Sequence, residues 1–276
     1  MKLINSIQEM KSLRRNIRGT LGFVPTMGYL HEGHISLVQQ SVKDNDTTAV
    51  SIYVNPTQFG PNEDFQAYPR DLERDLKLLE KAHTDIVFFP SNTEMYPDDY
   101  CTWIDVEKIT ARLEGEIRPG HFRGVATIVT KLFNIVQPDK AYFGQKDAQQ
   151  ALVIQRMTKD LNMNLDVIIM PTLREKDGLA MSSRNTYLNP EERKAATILY
   201  KALSLAIQLK EQGENGTSDI KNKMERLIIT EPLVKIEYIS IADTQTLEEL
   251  SSLAPRSLVS MAVRIGKTRL IDNLII

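Results

Sequence analysis

The apolar positions of the chain alternate between two spacings, and the order of those spacings predicts its elements. Ile7, Met10 and Leu13 recur at helical intervals within residues 6–15. Residues 21–24 form a short continuous apolar run that reads as a buried strand, followed by a turn through Pro25, Thr26, Met27 and Gly28. Ile35, Leu37 and Val38 then carry a helix to about residue 43. Residues 47–54, rich in β-branched side chains, predict a second strand that ends at a 55–60 loop. Residues 68–83 have Leu72, Leu76 and Leu79 on one helical face, and residues 85–89 are a third strand closed by Pro90. The next segment is less regular and holds the only tryptophan, Trp103. Helix 125–136, strand 140–143, helix 148–160 and strand 165–170 follow.

Strands alternating with helices imply parallel pairing, and the fold class expected is α/β, a Rossmann-like doubly wound parallel sheet. Past Gly178 the pattern changes to a long helix over 191–212, a loop at 212–216, a helix over 220–229, and strands at 235–242 and 257–265. A smaller α+β C-terminal domain is therefore expected, with the division at 1–176 and 177–276, the second part able to close over the first.

The charge balance, 34 basic against 36 acidic residues, argues against a general nucleic-acid binder, which should carry a basic excess or stripe. One cysteine, Cys101, excludes an intrachain disulfide framework and a cysteine-rich zinc site, and nothing near it suggests an activated thiolate. No apolar run approaches the ~18 residues of a membrane span and no signal-peptide core is present, so a cytoplasmic protein is expected.

Within residues 21–38, strand, glycine-bearing turn and helix start follow in the order that holds phosphate, because amides at a helix N-terminus lack intrahelical partners and the dipole there favours an anion. His31 and His34 flank Gly33 in that turn. They could merely cap or solvate the helix end; a zinc site is disfavoured because no third and fourth ligand stand in a metal-binding pattern. The remaining reading is a nucleotide phosphate, with the imidazoles stabilising charge at an α-phosphate. Lys146, in Gly144-Gln145-Lys146-Asp147 after a short strand, suits phosphate oxygens at the sheet's carboxyl edge, or is a solvated loop lysine; Asp147 could take a ribose hydroxyl or orient the lysine. Met181-Ser182-Ser183-Arg184 offers two hydroxyls and a guanidinium for a triphosphate, or is a flexible linker. Asn55 and Gln58 are amides at a strand end, where turn chemistry is the plain alternative. Arg118 and His121 flank Pro119-Gly120, and their roles stay open.

The His31-x-Gly33-His34 pattern after a first strand resembles the HIGH motif of the nucleotidylyltransferase superfamily, which includes class I aminoacyl-tRNA synthetases. The wider string, Pro25 through Met27, Gly28, Tyr29, Leu30, His31, Glu32 and Gly33 to His34, resembles the pantoate–β-alanine ligase family. Asn55-Pro56-Thr57-Gln58-Phe59, Tyr68-Pro69-Arg70, the 118–125 stretch, 144–147 and 181–185 agree with it in order, over roughly residues 22–190. The resemblance implies ATP-dependent condensation of (R)-pantoate with β-alanine through a pantoyl adenylate, with Mg²⁺ held mainly through ATP phosphates and no protein metal cage. It implies catalytic roles for His34, His31 and Lys146. It places Met27 to His34, Gly144 to Asp147, Leu173 and Met181 to Arg184 at ATP. Gln58, Gln150, Asn55 and Met27 fall at pantoate, and Gln58 at β-alanine. A homodimer with no nucleic-acid or membrane partner is implied too. The alternatives are a nucleotidyltransferase that leaves the nucleotide on its product and a non-catalytic RNA-binding relative.

Overall fold

The computed structural model describes residues 1–61 and 63–276, which divide into two compact units: residues 1–144 with 149–171, and residues 145–148 with 172–276. In the first, six strands form an all-parallel sheet in the order β1-β4-β3-β2-β5-β6. They are β1 (Lys2–Ile4), β2 (Leu21–Thr26), β3 (Thr47–Ile52), β4 (Ile86–Phe88), β5 (Lys140–Gly144) and β6 (Asp166–Met170). The strand order reverses between β2 and β5, which pair only at Gly22↔Lys140 and Phe23↔Ala141 and then part. Open α/β sheets bind ligands at such a switch point, outside the carboxyl ends of the strands.

Helices cover both faces, as the doubly wound expectation requires. Leu21, Phe23, Ala49 and Phe88 pack with Met10 of α1 (Ile7–Asn16), with Val125, Val129 and Leu132 of the later helix His121–Val136, and with Ile154 of the helix Ala148–Asp160. Val24, Val50 and Val87 pack on the other face with Ile35 and Val38 of α2 (Glu32–Asp44) and Leu79 of α3 (Leu72–Lys81). The alternation of Phe23 and Val24 between the two clusters is the period-two geometry of a strand buried on both faces. We call the short helices Asn92–Met95 and Glu114–Ile117 α4 and α5, His121–Val136 α6 and Ala148–Asp160 α7.

The second unit holds an antiparallel sheet of β7 (Val234–Asp243), β8 (Ser257–Ile265) and β9 (Thr268–Ile275), with α8 (Pro190–Ala195), α9 (Ile198–Glu211) and α10 (Thr217–Ile228). Leu199, Leu203, Ile220 and Met224 pack against Ile241, Val259, Met261 and Val263.

Several boundaries differ from the sequence pattern for local reasons. The helix expected over 191–212 is two helices, because Thr197 Oγ1 back-bonds to the Lys194 carbonyl at 2.9 Å and the Leu199 amide reaches Ala196, three residues back rather than four. The helix expected from residue 68 begins at Leu72, where Asp71 caps it by accepting the Arg74 amide. α6 starts four residues early, at His121, behind Gly120 in the left-handed region. β1 and β9 escape the pattern: the first is a three-residue edge strand, and the second is signalled only by the Gly266-Lys267 turn that pairs Ile265 with Thr268.

Candidate active site

The loop after β2 is held by its own chain. Gly28 takes φ +80°, a left-handed conformation that glycine adopts without strain, and its amide donates to Thr26 Oγ1 at 3.1 Å. The next two amides, of Tyr29 and Leu30, donate to the two carboxylate oxygens of Asp75 on α3 at 2.6 and 2.8 Å. Asp75 is 1 % exposed, and burial pushes its carboxyl up against the pull of those amides. Sequence reasoning missed Asp75, yet it left a signal: it is a carboxylate on the apolar stripe formed by Leu72, Leu76 and Leu79.

His31 is the N-cap of α2, and its Nδ1 accepts the Gly33 amide at 3.1 Å. His34 Nδ1 accepts the His31 amide at 3.3 Å, which completes a capping box made of two imidazoles. The ring centroids lie 4.0 Å apart. The expected unpaired amides at this helix start are therefore partly occupied by the histidines themselves. With both Nδ1 atoms accepting, each neutral ring carries its proton on Nε2. The amides of His31 and Gly33 are thus already taken by imidazole nitrogens and not left open at the helix start.

Asn55 caps the 3₁₀ turn Pro56–Gln58, and it is 1 % exposed. Its Oδ1 accepts from Thr57 Oγ1 (2.9 Å) and Tyr96 OH (3.1 Å); its Nδ2 donates to Gln58 Oε1 (3.1 Å) and the Gly124 carbonyl (3.2 Å). The buried Asn55 thus orients Gln58, whose Nε2 donates to Met27 Sδ at 3.0 Å. Two residues expected at one ligand, Met27 and Gln58, are brought into contact, half-buried. Gly124 makes this turn possible: a Cβ there would stand 2.7 Å from the Gln58 nitrogen, and closer still to the Thr57 carbonyl.

The open roles of Arg118 and His121 resolve into a chain beneath Gln58. Arg118 pairs with Glu63 (Nη2 to Oε2 2.6 Å, Nε to Oε1 2.7 Å) and approaches His121 Nε2 at 3.1 Å. His121 Nδ1 donates to the Gln58 carbonyl at 2.8 Å. Burial, with the Arg118 charge beside it, lowers the His121 pKa to about 4, so the ring is neutral and accepts from Arg118. Gln150 lies half-buried on α7, while its neighbour Gln149 is spent on structure, donating to the Ile109 and Arg112 carbonyls and accepting the Glu114 amide.

In the second unit, Lys146 and Asp147 follow β5 in a 3₁₀ turn, with Lys146 Nζ 3.7 Å from Asp147 Oδ1. The Met181 amide donates to the Leu173 carbonyl at 3.0 Å, pairing two residues expected at one ligand. Ser182 caps the turn Ser183–Tyr187 by accepting the Arg184 amide at 3.3 Å, and Asn185 Nδ2 ties it to Glu175 Oε1 and the Ala180 carbonyl, both at 3.1 Å. Among the described residues no group of three or more His, Cys, Asp or Glu could hold a metal ion, and no helix is long and apolar enough to cross a membrane.

Comparison with known proteins agrees over the whole length. The chain is 57% identical over 279 residues to the pantothenate synthetase of Fervidobacterium nodosum, covering 100% of this chain and 99% of the relative. It is 57% identical to that of Acetivibrio thermocellus with the same coverage. The crystal structure of the Thermus thermophilus pantothenate synthetase superposes with a TM-score of 0.96 at 45% identity, covering 99% of each chain. The Francisella tularensis pantoate-beta-alanine ligase, solved with beta-gamma ATP and beta-alanine, superposes at 0.82 and 36% identity, covering 99% of this chain and 97% of that one. The family model described as pantoate-beta-alanine ligase matches residues 2–275, and the chain belongs to that family.

Proposed function

We infer that the chain catalyses ATP-dependent condensation of (R)-pantoate with β-alanine to pantothenate, releasing AMP and pyrophosphate. A carboxylate is a poor acyl donor because its oxygen would leave as a strongly basic oxide. Attack of the pantoate carboxylate on the α-phosphate gives a pantoyl adenylate, from which AMP leaves readily when the β-alanine amine attacks the acyl carbon.

The single observation that carries the reading is the imidazole pair that caps α2 just after β2, beside the strand-order switch, with each Nδ1 held by a backbone amide. Side chains fixed in this way meet charge developing at phosphorus with little reorganisation. His31 and His34 act there, Lys146 and Arg184 neutralise the phosphates and the departing pyrophosphate, and the Ser182 and Ser183 hydroxyls hydrogen-bond to them. The remaining ATP contacts come from Met27 to Leu30, Glu32 and Gly33, from Gly144, Gln145 and Asp147, and from Leu173 and Met181. Met27, Gln58 and Gln150 receive pantoate, Gln58 also reaches β-alanine, and Asn55 serves by holding Gln58. Mg²⁺ would arrive on ATP, held mainly through its phosphates, and Asp147, a half-exposed carboxylate beside Lys146, suits such a hydrated ion. The metal would neutralise triphosphate charge. The reading places a homodimer in the cytoplasm, with no nucleic-acid or membrane partner.

ATP–pyrophosphate exchange with pantoate present and β-alanine absent tests the reading. Pantoate-dependent exchange is expected. Exchange that ignores pantoate, or a product that retains AMP, would sink it.

A further inference from the structure

The chain's last strand reaches the lysine loop. Asn273 of β9 is 3 % exposed, and its Nδ2 donates to two successive carbonyls, those of Gln145 at 3.0 Å and Lys146 at 2.9 Å. Gln145 Nε2 returns a longer bond, 3.4 Å, to Asn273 Oδ1. One side-chain amide therefore fixes both peptide planes that flank Lys146. Beneath it, Asp272 is 1 % exposed and accepts the Asn273 amide at 2.8 Å. The same carboxylate receives Arg174 in a bidentate pair at 2.6 and 2.9 Å. Arg174 also donates to the Gly178 carbonyl at 3.0 Å, at the turn that leads into Met181 and Ser182.

The geometry points to Asn273 as a positioning residue that sets the direction of Lys146, with Asp272 and Arg174 bracing it and tying the Gly178 turn to the same strand. The inference rests on the functional reading above, in which Lys146 meets phosphate. Lys146 is long and flexible, so its ammonium is placed only as well as the backbone from which it starts. A lysine displaced by about 1 Å loses much of a preorganised contact. Buried donors aimed at two carbonyls are a specific device, because an aspartate of the same shape would turn carboxylate oxygens onto both.

The test compares pantoate-dependent ATP–pyrophosphate exchange for wild type, Asn273→Asp, Asn273→Ser and Lys146→Ala, and for each Asn273 variant combined with Lys146→Ala. Asn273→Asp should lower kcat at least tenfold with the KM for pantoate unchanged. Asn273→Ser, smaller and with one donor left, should fall between and serves if the aspartate variant does not fold. Neither should cause further loss once Lys146 is alanine, because the residue acts through that side chain. A folded variant within twofold of wild type, or losses that multiply in the Lys146→Ala background, overturns the inference. Wild type without pantoate-dependent exchange would overturn the functional reading itself.

Discussion

His34 Nδ1 accepts the backbone amide of His31 at 3.3 Å, so the residue expected to meet phosphate is also part of the cap of α2. His34→Ala is expected to abolish adenylate formation and to lower stability by about 1 kcal/mol, the usual worth of a cap bond. Single-turnover assays and thermal melts measure the two separately. A variant with wild-type pyrophosphate release would leave His34 as a cap and nothing more.

Lys146→Ala is expected to slow adenylate formation by about 10²-fold or more, the scale of losing one preorganised electrostatic contact. Its melting curve should be close to wild type, because the side chain's ion pair is with half-exposed Asp147. A rate within a few-fold of wild type would make it a surface lysine.

Asp75→Asn removes one of two acceptors under the loop, since an amide presents only one oxygen to the Tyr29 and Leu30 amides. The expected cost is about 1–3 kcal/mol for an unsatisfied buried amide, with a raised KM for ATP. Denaturant melts and steady-state kinetics check this. An unchanged melt would mean that the loop is held elsewhere.

Gly124→Ala would drive a methyl into the Thr57–Gln58 backbone. Overpacking of this kind costs about 1–3 kcal/mol. The turn that carries Gln58 must shift, so steady-state kinetics should show the KM for pantoate rising more than the KM for ATP.

His121 supplies a pH dependence. Its folded-state pKa, lowered to about 4 by burial and Arg118, lies below the ordinary 6.5 of an unfolded histidine. The unfolded chain therefore binds the proton first. The stability that His121 contributes is complete above pH 6.5 and is lost as pH falls toward 4, by an amount on the order of 3 kcal/mol. The charges of Arg118, Glu63 and Glu114 act on the ring, the first lowering its pKa and the two carboxylates opposing that. Melts of wild type and His121→Asn between about pH 7 and pH 4 should diverge from parallel; parallel curves would remove His121 from the acid response.

The order of apolar spacings determined the parallel sheet, the helices on both its faces and the change of architecture past Gly178, because periodicity records which side chains must leave water. Turns at strand ends marked His31, His34 and Lys146, and the polar stretch past Gly178 marked Ser182 to Arg184. Only the tertiary structure decided what holds those residues. Asp75 lies 45 positions from Leu30, His121 lies 63 from Gln58, and Asn273 lies 127 from Lys146. Each is a buried polar group whose partner is a distant backbone amide or carbonyl. Backbone groups are the same at every residue, so no pattern of side chains along the chain announces such a bond before the fold brings its ends together.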